Sequence, residues 1–296
     1  MAIYSYLQGG LGNQMFQYAI ARALSEHYQS PFLLDCSWFD VPQSETTPRP
    51  YQLDLLQIQN TAKSNLVFPK KPHRWLRALQ TFLPSSQIVY YQKNAFEFDP
   101  SLFRFKDMAK RDLFLFGYWQ AYPYLQPIRP ILQAEFKTKG LRTEHYQAYL
   151  DLIHKSESVM LHIRRGDYVN SPSAAKFHGV LPLSYYHQAI EALSLQKPQA
   201  HFFIFSDDLP WAKEALPQDL RMTFVENAMQ ADSAAQELQL MTLCKHHIIA
   251  NSSLSWWGAW LRTNSNGLVY TPNRWISDSS LDLSNLLPTS WNRIPA

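Results

Sequence analysis

Cysteine is scarce: Cys36 and Cys244 are the two in 296 residues, far apart. That excludes a disulfide framework and any zinc-finger ligand spacing. No stretch reaches the roughly 18 apolar residues a membrane-crossing helix needs. The opening Met1-Ala2-Ile3-Tyr4-Ser5-Tyr6 lacks the charged-then-apolar pattern of a secretion signal. A cytoplasmic protein is therefore expected. Net charge is small, +3 from 27 basic and 24 acidic side chains, so nothing in it supports nucleic-acid binding. The charge is uneven: residues 1–150 hold 16 basic and 11 acidic side chains, residues 151–296 hold 11 and 13. Part of the first excess is Lys70, Lys71, Arg74 and Arg77 around Trp75, Leu76 and Leu79. Such a segment suits a weak contact with an anionic membrane surface, although a solvated helix face is the plainer reading. No internal repeat or low-complexity segment is evident.

What is present is a globular composition, 46% hydrophobic and 17% charged, in a chain long enough for two domains. Aromatics reach 14%, with nine Trp. Flat aromatic faces serve carbohydrate sites, and they also fill cores.

The chain opens as a short apolar strand, Ile3 to Leu7, then Gln8-Gly9-Gly10-Leu11-Gly12-Asn13-Gln14, then Met15, Phe16, Ala19, Ile20, Ala23 and Leu24 at helical spacing. A strand at 31–35 completes a βαβ unit. Residues 40–112 are rich in Pro, Gln and aromatics, and insertions rather than regular sheet are expected there. Order returns at 113–116 before Gly117-Tyr118-Trp119-Gln120, with helical patterns near 122–134 and 142–154. In the second half strands are expected at 159–163, 201–205, 221–225, 246–250 and 268–271. Helices are expected between them at 183–195, 209–216, 233–244 and 252–261. This alternation predicts an α/β protein of two Rossmann-like domains facing a cleft, divided as 1–154 and 155–296.

In an open parallel sheet, ligands bind beyond the carboxyl ends of the strands. Polar clusters stand at three such ends: Arg164-Arg165-Gly166-Asp167, Ser206-Asp207-Asp208 and Asn251-Ser252-Ser253. Arginine forks pair with phosphate oxygens, and a hydroxyl-rich turn at a helix start is an anion site. Singly, each reads as a cap or a salt-bridged loop; together they suit a nucleoside diphosphate. Strand alternation puts His162 and Arg164 on one face and Arg165 on the other. Arg164 is thus assigned to phosphate and Arg165 to a structural partner such as Asp167. Alone, His162 would read as a core histidine. The N-terminal turn fails as a dinucleotide fingerprint, because Met15 stands where the third Gly belongs. It still lets the backbone at Gly12 and the side chain of Asn13 approach a ligand closely.

His162-Ile163-Arg164-Arg165-Gly166-Asp167-Tyr168 resembles the donor motif shared by α-1,2-, α-1,6- and protein O-fucosyltransferases. Three further segments resemble the α-1,2-fucosyltransferases of glycosyltransferase family 11. They are Gly9-Gly10-Leu11-Gly12-Asn13-Gln14-Met15-Phe16-Gln17-Tyr18-Ala19, Gly117-Tyr118-Trp119-Gln120, and the run from Asn251 to Trp260. The resemblance implies a GT-B-like fold and inverting transfer from GDP-fucose to the 2-hydroxyl of a β-linked galactose, with neither metal nor cofactor. It implies that His162 and Arg164 hold the diphosphate, Asp207 reads guanine, and Ser252 and Ser253, with Asn251, bind phosphate. The N-terminal half would bind the galactoside, with Asn13 reaching the reaction centre.

One feature departs from the α-1,6 enzymes, which carry a Glu shortly after this Asp. Here Tyr168, Val169, Asn170, Ser171 and Pro172 follow Asp167. The base therefore stays open among Asp167, His178, Asp35 and the departing phosphate. Other nucleotide-sugar transferases, and a non-catalytic sugar-binding protein, are the rival readings.

Overall fold

The computed structural model describes residues 2–42, 49–59, 62–63, 86–105, 111–140, 144–166, 169, 179–226, 233–278 and 280–296. They form two compact units. One is built mainly on the chain up to Glu135, the other on Phe136–Ala296 together with Leu55–Gln57. The change of unit thus falls ahead of the expected 154/155. The helix at Glu144–Lys155 buries Tyr146, Tyr149, Leu150 and Ile153 and packs on the second unit's sheet.

In the first unit, β1 (Ile3–Tyr6) leads into α1 (Leu11–Tyr28) and then β2 (Phe32–Asp35). β3 (Ala62–Lys63), β4 (Gln87–Tyr91) and β5 (Asp112–Phe116) complete a parallel sheet of order β3-β2-β1-β5-β4. Regular sheet within 40–112 was not expected. β4 is found only by its pairing with β5, because Gln87-Ile88-Val89-Tyr90-Tyr91 has no sharp period of its own. α1 buries nearly all of its circumference from Leu11 to Leu24, so it is a central helix rather than a surface one. Its polar residues are satisfied inside. Tyr18 Oη donates to Glu135 Oε2 at 2.7 Å and Arg22 Nε to Glu135 Oε1 at 3.0 Å. Glu135 closes α2 (Arg129–Glu135). Ahead of α2 the chain makes two 3-10 turns, Tyr122–Tyr124 and Gln126–Ile128, each with Pro near its start. The expected single helix over 122–134 is broken up because each proline removes a backbone donor and crowds the preceding turn.

In the second unit, α3 (Glu144–Lys155) precedes β6 (Glu157–Ile163), α4 (Leu183–Gln196) and β7 (Ala200–Ser206). α5 (Leu209–Ala215), β8 (Met222–Phe224), α6 (Ser233–Leu243), β9 (His246–Ile248), α7 (Ser253–Trp260), β10 (Val269–Pro272) and β11 (Asn292–Ile294) follow. All pairings are parallel, in the order β11-β10-β9-β6-β7-β8. This is the doubly wound Rossmann order, in which the chain runs outward from β6 to one edge and then returns to build from β9 to the other. β6 and β9, neighbours but not consecutive, flank the switch point, where such sheets bind ligands. β6 and β7 are almost wholly buried, as a central parallel pair must be. At the other end of the sheet, Glu157 accepts from His246 Nε2 at 2.8 Å and Lys245 Nζ at 2.9 Å. Hydrogen bonds from His246 and Lys245 hold its carboxyl down at about 2.

Candidate active site

β6 ends at Ile163, opposite Ser206 of β7, so Arg164 and Arg165 emerge beside Asp207 and Asp208. The two carboxylates sort the two arginines. Arg164 Nε lies 3.3 Å from Asp207 Oδ2. Arg165 Nη1 donates to Asp208 Oδ2 at 2.7 Å, with its guanidinium 4.9 Å from the Trp211 ring centroid. Asp208 also caps α5, accepting from the Trp211 amide at 3.2 Å. Arg165 is thus structural, as expected, but Asp208 and Trp211 are its partners. Asp167, named for that role and as a base, lies outside the described residues, as does His178.

Asp207 is bonded to the arginine loop. Its Oδ1 accepts from the amides of Arg165 at 2.8 Å and Gly166 at 3.0 Å, while Oδ2 faces Arg164. Burial works against its charge, but Arg164 and the two amides overcome it and hold the carboxyl below the usual range. A Cβ at Gly166 would lie 3.2 Å from Asp207 O and 3.3 Å from Oδ2, so glycine is what lets the loop close on this side chain. Both oxygens are engaged by the arginine loop. These contacts give Asp207 a second task beside the expected one of reading guanine, that of shaping the loop that carries Arg164.

His162 sits two residues back along the strand, 4% exposed, and its Nδ1 has no hydrogen-bond partner among the described residues. Burial, then the adjacent Arg164, holds its imidazole down at about 3. It is neutral at physiological pH, one nitrogen an acceptor and the other a donor.

Beyond β9, Ser252 is the N-cap of α7 and makes no capping bond with its side chain. Its hydroxyl is therefore not spent on the helix, and Ser253 opens the helix half-exposed beside it. Asn251 stands at the turn ahead of α7. It is 2% exposed, and its Nδ2 donates to Gly179 O at 3.2 Å and Trp275 O at 3.3 Å. Its Nδ2 ties two loops together.

Two other buried histidines, His201 and His247, are also held low by burial, at about 4 and about 3. With His162 they fix the sign of a pH effect. The unfolded chain binds these protons near pH 6.5, the folded chain only well below it. Their contribution is complete above pH 6.5 and is lost as pH falls. Calorimetry is expected to show Tm falling by at least about 5 °C between pH 6.5 and 5, before carboxylates titrate. A flat Tm over that interval would contradict neutral burial of these rings.

In the first unit the glycine turn is built by glutamines that motif reading passed over. Gln14 Nε2 donates to Gly9 O and Pro50 O, at 2.8 and 2.9 Å, and its Oε1 accepts from Gln52 N. Gln17 accepts from Gln8 N at 2.9 Å and donates to Gly117 O at 3.2 Å. Both are fully buried. The available signal was a polar residue at i and i+3 on an otherwise apolar helix. Gly12 is buried in the first turn of α1, and Asn13 beside it is half-exposed. Asp35, at the end of β2, is 1% exposed, with Oδ1 accepting from Ser37 N at 2.7 Å. Burial pushes its carboxyl up.

Tryptophan is mostly core. Trp119, Trp256, Trp257, Trp260, Trp275 and Trp291 are all buried, and Trp256 Nε1 donates to Leu286 O at 2.8 Å. Cys36 and Cys244 are not joined in a disulfide. Among the described residues no helix is long and apolar enough to cross a membrane. The basic segment at 70–79 lies outside them.

The family model described as glycosyl transferase family 11 matches residues 3–294. This chain belongs to glycosyl transferase family 11. The family 11 chain is 32% identical to the O-antigen biosynthesis glycosyltransferase WbnK of Escherichia coli, over 98% of this chain and 99% of that protein. It is also 32% identical to an alpha-1,2-colitosyltransferase of Escherichia coli, over 99% and 98%. Galactoside 2-alpha-L-fucosyltransferase SEC1 of Bos taurus is 25% identical, over 90% of this chain and 65% of that protein. In fold, it is similar to Arabidopsis thaliana FUT1 in complex with GDP, with a TM-score of 0.52 at 10% identity, over 92% of this chain and 70% of that one. The family 11 chain is an α/β protein of GT-B-like fold with two Rossmann-like units.

Proposed function

We propose that this glycosyltransferase moves L-fucose from GDP-β-L-fucose to the 2-hydroxyl of a β-linked galactose, with inversion. The second unit binds the donor and the first the acceptor. The observation that carries the reading is Arg164, oriented by Asp207 at the switch point of a Rossmann sheet. Beneath it lies a neutral His162 whose Nδ1 is unpaired among the described residues, and across the switch point the N-cap Ser252 makes no side-chain capping bond. In the displacement the acceptor oxygen bonds to the anomeric carbon, and the bond from that carbon to the β-phosphate oxygen breaks. Negative charge grows on the departing GDP, where fixed positive charge is most useful. Arg164 supplies it, aided by Ser252, Ser253 and the amides of the α7 start. Asn13 reaches the reacting sugar from the glycine turn. Asp167, three residues beyond Arg164, takes the hydroxyl proton in this proposal, with the leaving phosphate as the other acceptor. No step requires a metal or a cofactor.

One observation favours a second donor, the 32% identity across 99% of the chain to an α-1,2-colitosyltransferase. Colitose is L-fucose without its 3-hydroxyl, so the same phosphate machinery suits both. The test is incubation with GDP-fucose or GDP-colitose and a panel of β-galactosides in EDTA, with linkage determined by NMR. An α-1,2 product is expected from at least one of them with EDTA present, and the ratio of kcat/KM names the donor. Transfer only from UDP- or ADP-sugars, or loss in EDTA restored by Mn²⁺, would overturn the reading. Sugar binding without GDP affinity would favour the non-catalytic rival.

A further inference from the structure

The side chain of Asn13 is held in place from outside its own helix. Gln120 Nε2 donates to Asn13 Oδ1 at 2.9 Å. The two meet because β1 and β5 are neighbours, so the turn after each strand stands at one switch point. The bond gives the Asn13 amide one orientation, with Oδ1 turned to Gln120 and Nδ2 over Gly9. A Cβ at Gly9, where φ is +79°, would stand 2.8 Å from that nitrogen.

Gln120 is itself fixed. It is buried, its amide donates to Ala95 O at 2.8 Å, and the Ala121 amide closes back on Trp119 O at 2.8 Å. The turn is set one residue earlier. Trp119 has φ +57°, the left-handed region that a bulky side chain avoids. Such a conformation persists where its surroundings over-determine it. Here Gln92 Oε1 accepts from the amides of both Tyr118 and Trp119, at 3.0 and 2.8 Å. The Trp119 ring is fully buried, 5.7 Å from that of Tyr90 and 6.2 Å from that of Tyr124. A strained turn clamped from two sides, with its next residue bonded to Asn13, is a positioning device.

We infer that Gln120, set by the left-handed turn at Trp119 and the Gln92 clamp, is a positioning residue that holds the Asn13 amide in one orientation for the reacting sugar. This rests on the reading that Asn13 reaches that sugar. The test is a double-mutant cycle with Gln120→Glu, Asn13→Ala and the pair, recording kcat, galactoside KM, GDP Kd and Tm. Glutamate keeps the shape but has no N–H to donate. In the wild-type background Gln120→Glu is expected to lower kcat about 10- to 100-fold, the scale of a misplaced reacting group. GDP Kd and Tm should stay unchanged. In the Asn13→Ala background the same change is expected to cost less than about threefold, because the two residues act as one unit. An equal fall in both backgrounds would show that Gln120 does not act through Asn13. A wild-type kcat in Asn13→Ala would instead remove the role given to Asn13. Should Gln120→Glu lower Tm, Gln120→Met, neutral and of similar length, carries the same cycle.

Discussion

Arg164→Lys is expected to lower kcat for transfer about 10²–10³-fold while leaving the protein folded, the scale seen when one preorganised donor to a developing charge is removed. Lysine keeps the charge. It loses the planar fork, so one ammonium cannot both face Asp207 Oδ2, now 3.3 Å from Arg164 Nε, and embrace phosphate oxygens. Circular dichroism and Tm should be unchanged, since Arg164 belongs to a partly exposed loop and not to the core. Arg165→Lys is the control. Its partners are Asp208 and Trp211, so its expected effect is on stability more than on the rate of the bound complex. Turnover within about threefold of wild type in Arg164→Lys would sink the assignment.

Asp207→Asn should be nearly as damaging, and its pattern decides what Asp207 does. An Asn oxygen can still accept from the Arg165 and Gly166 amides, but its N–H₂ must then face the Arg164 guanidinium, donor against donor. The lost charged contact is worth about 1.5–3 kcal/mol, or roughly 10- to 150-fold in affinity or rate. Because the loss acts through Arg164, calorimetry should find GDP, IDP and XDP weakened by the same factor. A carboxylate that read the guanine edge would behave differently: GDP would weaken alone, and XDP would gain relative affinity. That second pattern would establish guanine reading and remove the orienting role.

Much of this was legible in the sequence, for reasons that are local. The strand and helix periods from Val159 to Thr271 are set by which side chains each segment must bury. Every strand expected there is found, although the boundaries shift by one to two residues. Motifs at strand ends were legible too, because a parallel sheet puts its ligands there whatever its order. Where the chain carries no clean period, the sequence reading missed. β4 and β11 are short and half-exposed, and an outer strand is defined by its neighbour more than by its own residues.

By itself, then, the sequence determined the family, the α/β class and the polar clusters that face solvent at strand ends. Only the tertiary structure decided which members of those clusters act together. His162, Arg164 and Asp207 converge because β6 pairs with β7 in the register Ile163↔Ser206. Asn251 turns inward because two carbonyls, from Gly179 and Trp275, arrive from distant parts of the chain and need a donor. Asn13 meets Gln120 because β5, and not β2 alone, lies beside β1. Period and motif are properties of a few adjacent residues. The partner of a buried donor or carboxylate is chosen by whichever chain segment packs against it, and that choice exists only once the sheet is assembled.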